Sequence, residues 1–262
     1  MTLRVKLAFW IIRLGAVIKS LAVVMMRPSD LMCFNRTTYS QPQTLGRFND
    51  DRFLDSGWRY DEKKLYENLP VKRGRLCLLG AGGGREAIQF ARLGFEVTGV
   101  DFVAEMIRRA ENNCADRNLP FTGLVQEISE LKLDDGSFDV VWLTNPMYSY
   151  IPGRKRRIDM LERIKKALKP EGVLVCQYLY EQRPNPKSFW LRKVLALILA
   201  GNFQFEKGDA ILADREYVHV FFNEQDLFNE FSQAGFRAIH QGRPGANRVT
   251  GAVFAQEKAV SY

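Results

Sequence analysis

Cysteine and histidine are scarce in this sequence, and one end of it has no acidic residue. Cys33, Cys77, Cys114 and Cys176 are spread along 262 residues without a C-x-x-C pair. That spacing excludes a disulfide framework and a zinc knuckle, so a reducing, cytoplasmic setting is expected. The two histidines, His219 and His240, are far apart in sequence and form no ligand pair. No metal site is therefore expected. No Pro/Gly/Ser-rich linker and no repeat divides the chain. With 46% hydrophobic residues it can bury a full core as one α/β domain with appendages.

Residues 1–29 lack Asp and Glu but hold Arg4, Lys6, Arg13, Lys19 and Arg27, so most of the net charge of +8 belongs to this arm. A nucleic-acid binder carries its basic stripe on the folded domain, and no specific nucleic-acid partner is indicated here. Leu7 to Met26 is apolar and long enough to span a bilayer, but Arg13 and Lys19 interrupt it. Each would cost roughly 2.5–3.5 kcal/mol near the bilayer centre. Residues 1–28 therefore read as a basic, tryptophan-containing helix lying in the membrane interface, as a helix packed on the domain or a second subunit, or as a targeting segment. The lead-in over 29–70, with Tyr39, Trp58 and Tyr60, is turn-rich and expected to lie over a pocket. The sequence is silent on oligomeric state.

The informative stretch begins at Arg75. Arg75–Leu79 is a short apolar run fit for a buried parallel strand. It leads into Gly80-Ala81-Gly82-Gly83-Gly84 and then a helical pattern, REAIQFARLG, that Gly94 stops. Glycines permit a tight turn and close approach of a ligand to the backbone. The helix start behind them offers free N–H groups. Phe95 to Asp101 reads as a second strand with a carboxylate at its tip, placed to accept ribose hydroxyls or to cap the helix that follows.

Two cofactor classes share this opening. Gly82-x-Gly84-x-x-Ala87 satisfies the nicotinamide fingerprint, so a dehydrogenase is one alternative, with a non-catalytic adenosyl-binding module as another. The remaining motifs point elsewhere. Gln126-Glu127-Ile128, Asp135 to Val141 and Leu168-Lys169-Pro170-Glu171-Gly172 follow in order. From Gly74 to Val175 the sequence resembles the class I S-adenosylmethionine-dependent methyltransferases, especially the small-molecule group. The resemblance implies a doubly wound, Rossmann-like seven-stranded sheet, here with an N-terminal helical extension, and S-adenosylmethionine as cofactor. It places Gly80, Ala81, Gly82 and Gly84 against the methionine part, Asp101 on the ribose, and Glu127 on the adenine amino group. It gives the Ile128 N–H to a ring nitrogen and sets Phe102 and Ile128 beside the base. The family's acid two residues before the first glycine is Leu78 here, so Glu86 for the ammonium and Arg85 for the carboxylate are the expected substitutes. Where Glu171 stands the family more often has glycine.

The fourth strand is expected over Asp139–Thr144, with the acceptor at its tip. Asn145-Pro146-Met147-Tyr148 matches three of the four positions of the (Asn/Asp)-Pro-Pro-(Tyr/Phe) motif of amino-group methyltransferases. Asn145 and Tyr148 are therefore the candidate catalytic residues, and an N-methyltransferase acting on nucleic acid or protein is the alternative to a small-molecule or lipid-like acceptor. His219, in an alternating segment, is read as structural in preference to a general base. The methyltransferase domain is expected over 71–258, with a cap insertion near 181–210. The apolar stretch 188–201 within it is a lid, a membrane-touching patch or a buried cap helix.

Overall fold

The computed structural model describes residues 1–48, 50–143, 145–181, 189–199, 201–213, 215–242 and 250–257. Thr144, most of the 181–186 loop, and residues 188 and 200 of the apolar stretch lie outside the described residues.

Helices precede the sheet: α1 (Leu3–Met25), α2 (Pro28–Tyr39), α3 (Pro42–Phe48), α4 (Asp51–Leu54) and α5 (Tyr60–Asn68). Alternating elements follow: β1 (Gly74–Leu79), α6 (Arg85–Arg92), β2 (Phe95–Asp101), α7 (Ala104–Ala115), β3 (Phe121–Val125), β4 (Phe138–Leu143), α8 (Arg154–Ala167) and β5 (Leu168–Leu179). The chain closes with α9 (Phe189–Ile198), β6 (Asp209–Leu212), β7 (Glu216–His219), α10 (Glu224–Gln233), β8 (Phe236–Gly242) and β9 (Thr250–Glu257).

Seven strands form one sheet in the order β3-β2-β1-β4-β5-β9-β8. The first five are mutually parallel, while β9 runs antiparallel between β5 and β8. The expected closing hairpin is present. Strand residues alternate between two cores, as a period of two requires. Cys77, Leu79, Val141 and Leu143 face a cluster with Met160 and Leu161 of α8 and Phe231 of α10. Leu76, Leu78, Val140 and Trp142 face Leu65 of α5, Ile88 and Phe90 of α6 and Ile107 of α7. The order reverses at β1, whose neighbours are β2 and β4, so a crevice opens beyond their carboxyl ends.

Two details depart from expectation. Strand β5 begins at Leu168, so the expected turn over 168–172 is part of the strand. Glu171 sits there at φ +64°, a left-handed conformation that costs an L side chain roughly 1–2 kcal/mol. This is the physical reason the family favours glycine at that place. The alternating segment around His219 pairs with β6 in a separate ribbon, outside the main sheet. Asn35 of α2 docks on that ribbon: its Oδ1 accepts the Tyr217 N–H at 2.7 Å, and its Nδ2 donates to the Tyr217 carbonyl at 3.4 Å.

Helix α1 is long and apolar enough to cross a membrane by length and composition, and 12% of its most apolar window is buried. Only its last turns pack on the body. Val23 and Val24 join Leu31, Ala196, Phe205 and Tyr217 in a small third cluster. Helix α9 is not a buried cap, since Ala196 is its one fully buried side chain among the described residues.

One charged pair sits at the heart of the larger core. The Arg157 guanidinium donates to both Glu230 oxygens, at 2.7 and 2.9 Å, and neither side chain is exposed. Burial alone would raise the Glu230 carboxyl, but the bonds and charge of Arg157 hold it below the ordinary 4.5. Breaking a buried pair leaves an uncompensated charge. Arg157→Met should therefore cost about 3 kcal/mol in urea unfolding at neutral pH, the low end of that range because Arg154 stands 3.3 Å from the same carboxylate. A carboxyl with a depressed folded value stabilises above its unfolded value. The wild-type protein should therefore lose this contribution as pH falls below about 4.5, whereas the Arg157→Met, Glu230→Leu pair should lack that dependence.

Candidate active site

The crevice is a cavity of about 290 Å³ at the tips of β1, β2 and β4. Its floor is the glycine loop. The Gly80 and Ala81 N–H groups both donate to the Val100 carbonyl, at 2.8 and 3.0 Å, which ties the end of β1 to the end of β2. Gly80, Gly82 and Gly84 have φ of +79°, +51° and +93°, which side chains with a Cβ rarely adopt. Gly83 has a different reason: a Cβ there would lie 2.0 Å from the Phe48 carbonyl oxygen of α3.

Asp101 is buried at the mouth. One of its oxygens accepts from the Gly82 N–H at 3.0 Å and the other from the Val103 N–H at 2.9 Å, so it braces both the loop and the start of α7. Burial raises its carboxyl, and those backbone donors oppose the rise. Glu127 is raised likewise by burial, against the Ser129 N–H and the Arg36 charge. Arg36 pairs with its Oε2 at 3.6 Å, while its Oε1 is buried without a hydrogen-bond partner. A buried acceptor without a donor is costly, and the amino edge of a base is one group that would supply the donor.

Of the residues expected from sequence, Gly80, Gly82, Asp101, Phe102 and Asn145 line the cavity. Ala81 is buried beneath it. The Ile128 side chain belongs to the main core, so it does not flank a base. Tyr148 needs a correction. It is wholly buried, packs on Phe221 and Phe231, and donates to Glu230 at 2.6 Å. It cannot stack on a substrate. Tyr150, two residues on, lines the cavity instead.

Arg85 also departs from expectation. It is 4% exposed and donates to Glu62 of α5 with both terminal nitrogens, and to the Gly57 carbonyl at 2.9 Å. Its guanidinium is committed to the lead-in rather than to a ligand carboxylate. Glu86 is better placed. Its carboxylate accepts from the Trp142 indole at 3.3 Å and lies 3.5 Å from the Asn145 Nδ2. Asn145 itself has φ +53°, tolerable for asparagine. Its N–H donates to Gln177 at 3.0 Å and its Oδ1 accepts from Arg59 at 2.5 Å.

The lead-in supplies cavity residues the motifs did not reveal. Tyr39, Phe48 and Arg59 line it. Arg36 lies 5.5 Å from the Phe102 ring centroid, which Tyr39 meets edge-on. The available signals were Pro28 at a helix start and the aromatic content of this stretch.

His219 is remote from this cavity and lines a different one. Its Nδ1 lies 2.9 Å from Asp209, and with Glu206 the three donor atoms fall within 4.8 Å. The sequence reading did not anticipate this group. Its carboxylates already have partners: Arg157 binds Glu206 at 2.9 Å and Tyr217 donates to Asp209 at 2.7 Å.

A sheet of this order, with a glycine loop at β1 and acids after β2 and β3, defines the class I methyltransferase fold. An antiparallel strand inserted near one edge sets it apart from the all-parallel dinucleotide fold. Residues 77–172 match the family model described as a methyltransferase domain, and the sheet built around them has the fold of solved S-adenosylmethionine-dependent methyltransferases. Bacillus subtilis (strain 168) YqeM, whose name describes a methyltransferase, is 34% identical over 118 residues, covering 44% of this chain and 47% of that protein. A ubiquinone biosynthesis O-methyltransferase of Roseobacter denitrificans is 33% identical over 149 residues, covering 52% and 51%. This chain thus spans about half the length of the curated relatives it matches. A Methanosarcina mazei SAM-dependent methyltransferase structure superposes with a TM-score of 0.57 at 23% identity, covering 74% of this chain and 96% of that one, and shares its fold.

Two variants separate the tyrosines. Tyr150→Phe should cost about 1 kcal/mol through the hydroxyl's lost bonds to Glu216 and Tyr39 and change ligand or acceptor affinity. Tyr148→Phe should cost about 1–2 kcal/mol through the lost bond to Glu230 and leave calorimetric S-adenosylhomocysteine affinity unchanged. Asp101→Ala should weaken that affinity by about tenfold or more, since hydrogen bonds to a charged group contribute roughly 1.5–3 kcal/mol.

Proposed function

We propose that this protein transfers the methyl group of S-adenosylmethionine to an apolar, lipid-like small molecule. The observation that carries the cofactor half is a glycine loop and the buried Asp101 at one cavity, with the half-buried Glu127 after β3 holding a buried oxygen without a partner. Gly80, Gly82 and Gly84 would admit the methionine part, and Asp101 would accept the ribose hydroxyls. Glu127 Oε1 would take the adenine amino hydrogen, with Phe102 against the base. Glu86, beside Asn145, would receive the ammonium group, in place of the acid that Leu78 lacks.

The sulfonium supplies an activated methyl for in-line displacement, so the protein's own part is alignment and exclusion of water. Asn145, Met147, Tyr150 and Arg59, which line the cavity, would form its acceptor side. The apolar acceptor class is supported by the apolar lining and by the Roseobacter denitrificans relative, named for ubiquinone biosynthesis. The amino-group alternative loses support because Tyr148 is buried where that motif needs an exposed ring. Four free thiols suit a reducing, cytoplasmic setting.

A thermal-shift screen should show stabilisation by S-adenosylhomocysteine and none by NAD or NADP. Tritium from methyl-labelled cofactor, incubated with cell extract and protein, should collect in the organic-soluble fraction. Label confined to protein or nucleic acid would replace the acceptor class, and stabilisation by NAD alone would replace the cofactor.

A further inference from the structure

Apolar side chains on two helices remain uncovered by the fold. Helix α1 exposes Phe9, Trp10 and Ile12, and α9 exposes Trp190, Leu191 and Ile198, with Trp10 at 60% and Trp190 at 75%. Clusters of exposed large apolar side chains mark interaction sites. The two helices belong together. Val24 of α1 and Ala196 of α9 share one small core, and the Asn202 N–H, just after α9, donates to the Val24 carbonyl at 2.8 Å.

Charge selects the occupant. Residues 1–29 hold five bases and no acid, and residues 189–205 hold Arg192 and Lys193 and no acid. Where the helices meet, a cavity of about 320 Å³ is bordered by Lys19, Arg192 and Lys207. Of the acids in its wall, Glu181 and Asp209, the second already accepts from Tyr217 and His219. Apolar rings set among cations match the boundary between acyl chains and anionic headgroups, where tryptophan is favoured.

Geometry selects the orientation. The root of α1 is fixed, since a Cβ on Gly201 would lie 2.3 Å from the Val24 carbonyl oxygen. The apolar run free of the body, Leu7–Ile18, extends about 18 Å at 1.5 Å per residue, against a hydrocarbon core of about 30 Å. Arg4 and Lys6 lie beyond it and Arg13 within it. A helix so anchored lies along the interface, where its cations reach headgroups.

We propose that α1 and α9 form one docking surface for an anionic lipid bilayer, with α1 lying in the plane of the interface. This inference does not rest on the cofactor reading. The test uses the full chain with phosphatidylcholine vesicles, with and without phosphatidylglycerol, in co-sedimentation and tryptophan fluorescence. Binding should require phosphatidylglycerol, weaken as salt rises, and shift tryptophan emission to the blue. Trp10→Glu and Trp190→Glu should each weaken binding about tenfold, with circular dichroism melting unchanged because both side chains are exposed. Binding equal on neutral vesicles, or insensitive to Trp190→Glu, would overturn the two-helix anionic surface. Resistance to alkaline carbonate extraction would replace it by a spanning helix. Absence of vesicle binding, with a dimer in light scattering that Trp10→Glu dissociates, would assign the surface to a second copy of the chain. S-adenosylhomocysteine affinity of the same variants is the separate readout for the cofactor site, so failure of either reading is visible without the other.

Discussion

The Val100 carbonyl receives two amide hydrogens, those of Gly80 and Ala81, and the cavity geometry depends on that arrangement. It fixes the end of β1 against the end of β2 and brings the Gly82 N–H within 3.0 Å of Asp101. The loop must then turn through three positive φ values before α6 can start. A Cβ there would conflict with the turn at Gly80, Gly82 and Gly84, and at Gly83 with the carbonyl of Phe48. Sheet register, cofactor cradle and overlying helix α3 therefore meet at one set of backbone contacts.

What could be read in the sequence was local. The apolar run into β1, the glycines and the carboxylate ending β2 are contiguous and rest on backbone chemistry that neighbours cannot override. The two tyrosines show the limit. Met147–Tyr150 forms a short 3-10 turn, and residues two apart in a three-residue turn point to different sides. Tyr148 therefore enters the core and Tyr150 the cavity. Arg85 was misread for another reason: its partner, Glu62, lies 23 residues earlier on a helix whose docking no local pattern announces. The apolar composition of α9 was equally compatible with burial and exposure, and only the placement of its neighbours decided between them.

A connected polar network runs through the core away from the cavity. Arg157, Glu230 and Tyr148 satisfy one another inside the core, and Glu206, Asp209, His219 and Tyr217 extend the network toward the β6–β7 ribbon. These groups are held by mutual hydrogen bonds, as buried polar atoms require. Glu127 Oε1 lacks a partner, as do Gln89 Nε2 and Asn202 Oδ1 elsewhere.

Arg85 has a consequence for where this domain begins. The family model matches from residue 77, yet the guanidinium opening α6 is neutralised by Glu62, and both are nearly inaccessible to water. A chain cut just before β1 would keep every glycine of the cradle and lose the counter-ion directly behind it. The stretch that the family model matches is thus shorter than the stretch that electrostatics requires. The helices upstream count as foundations of the domain rather than additions to it.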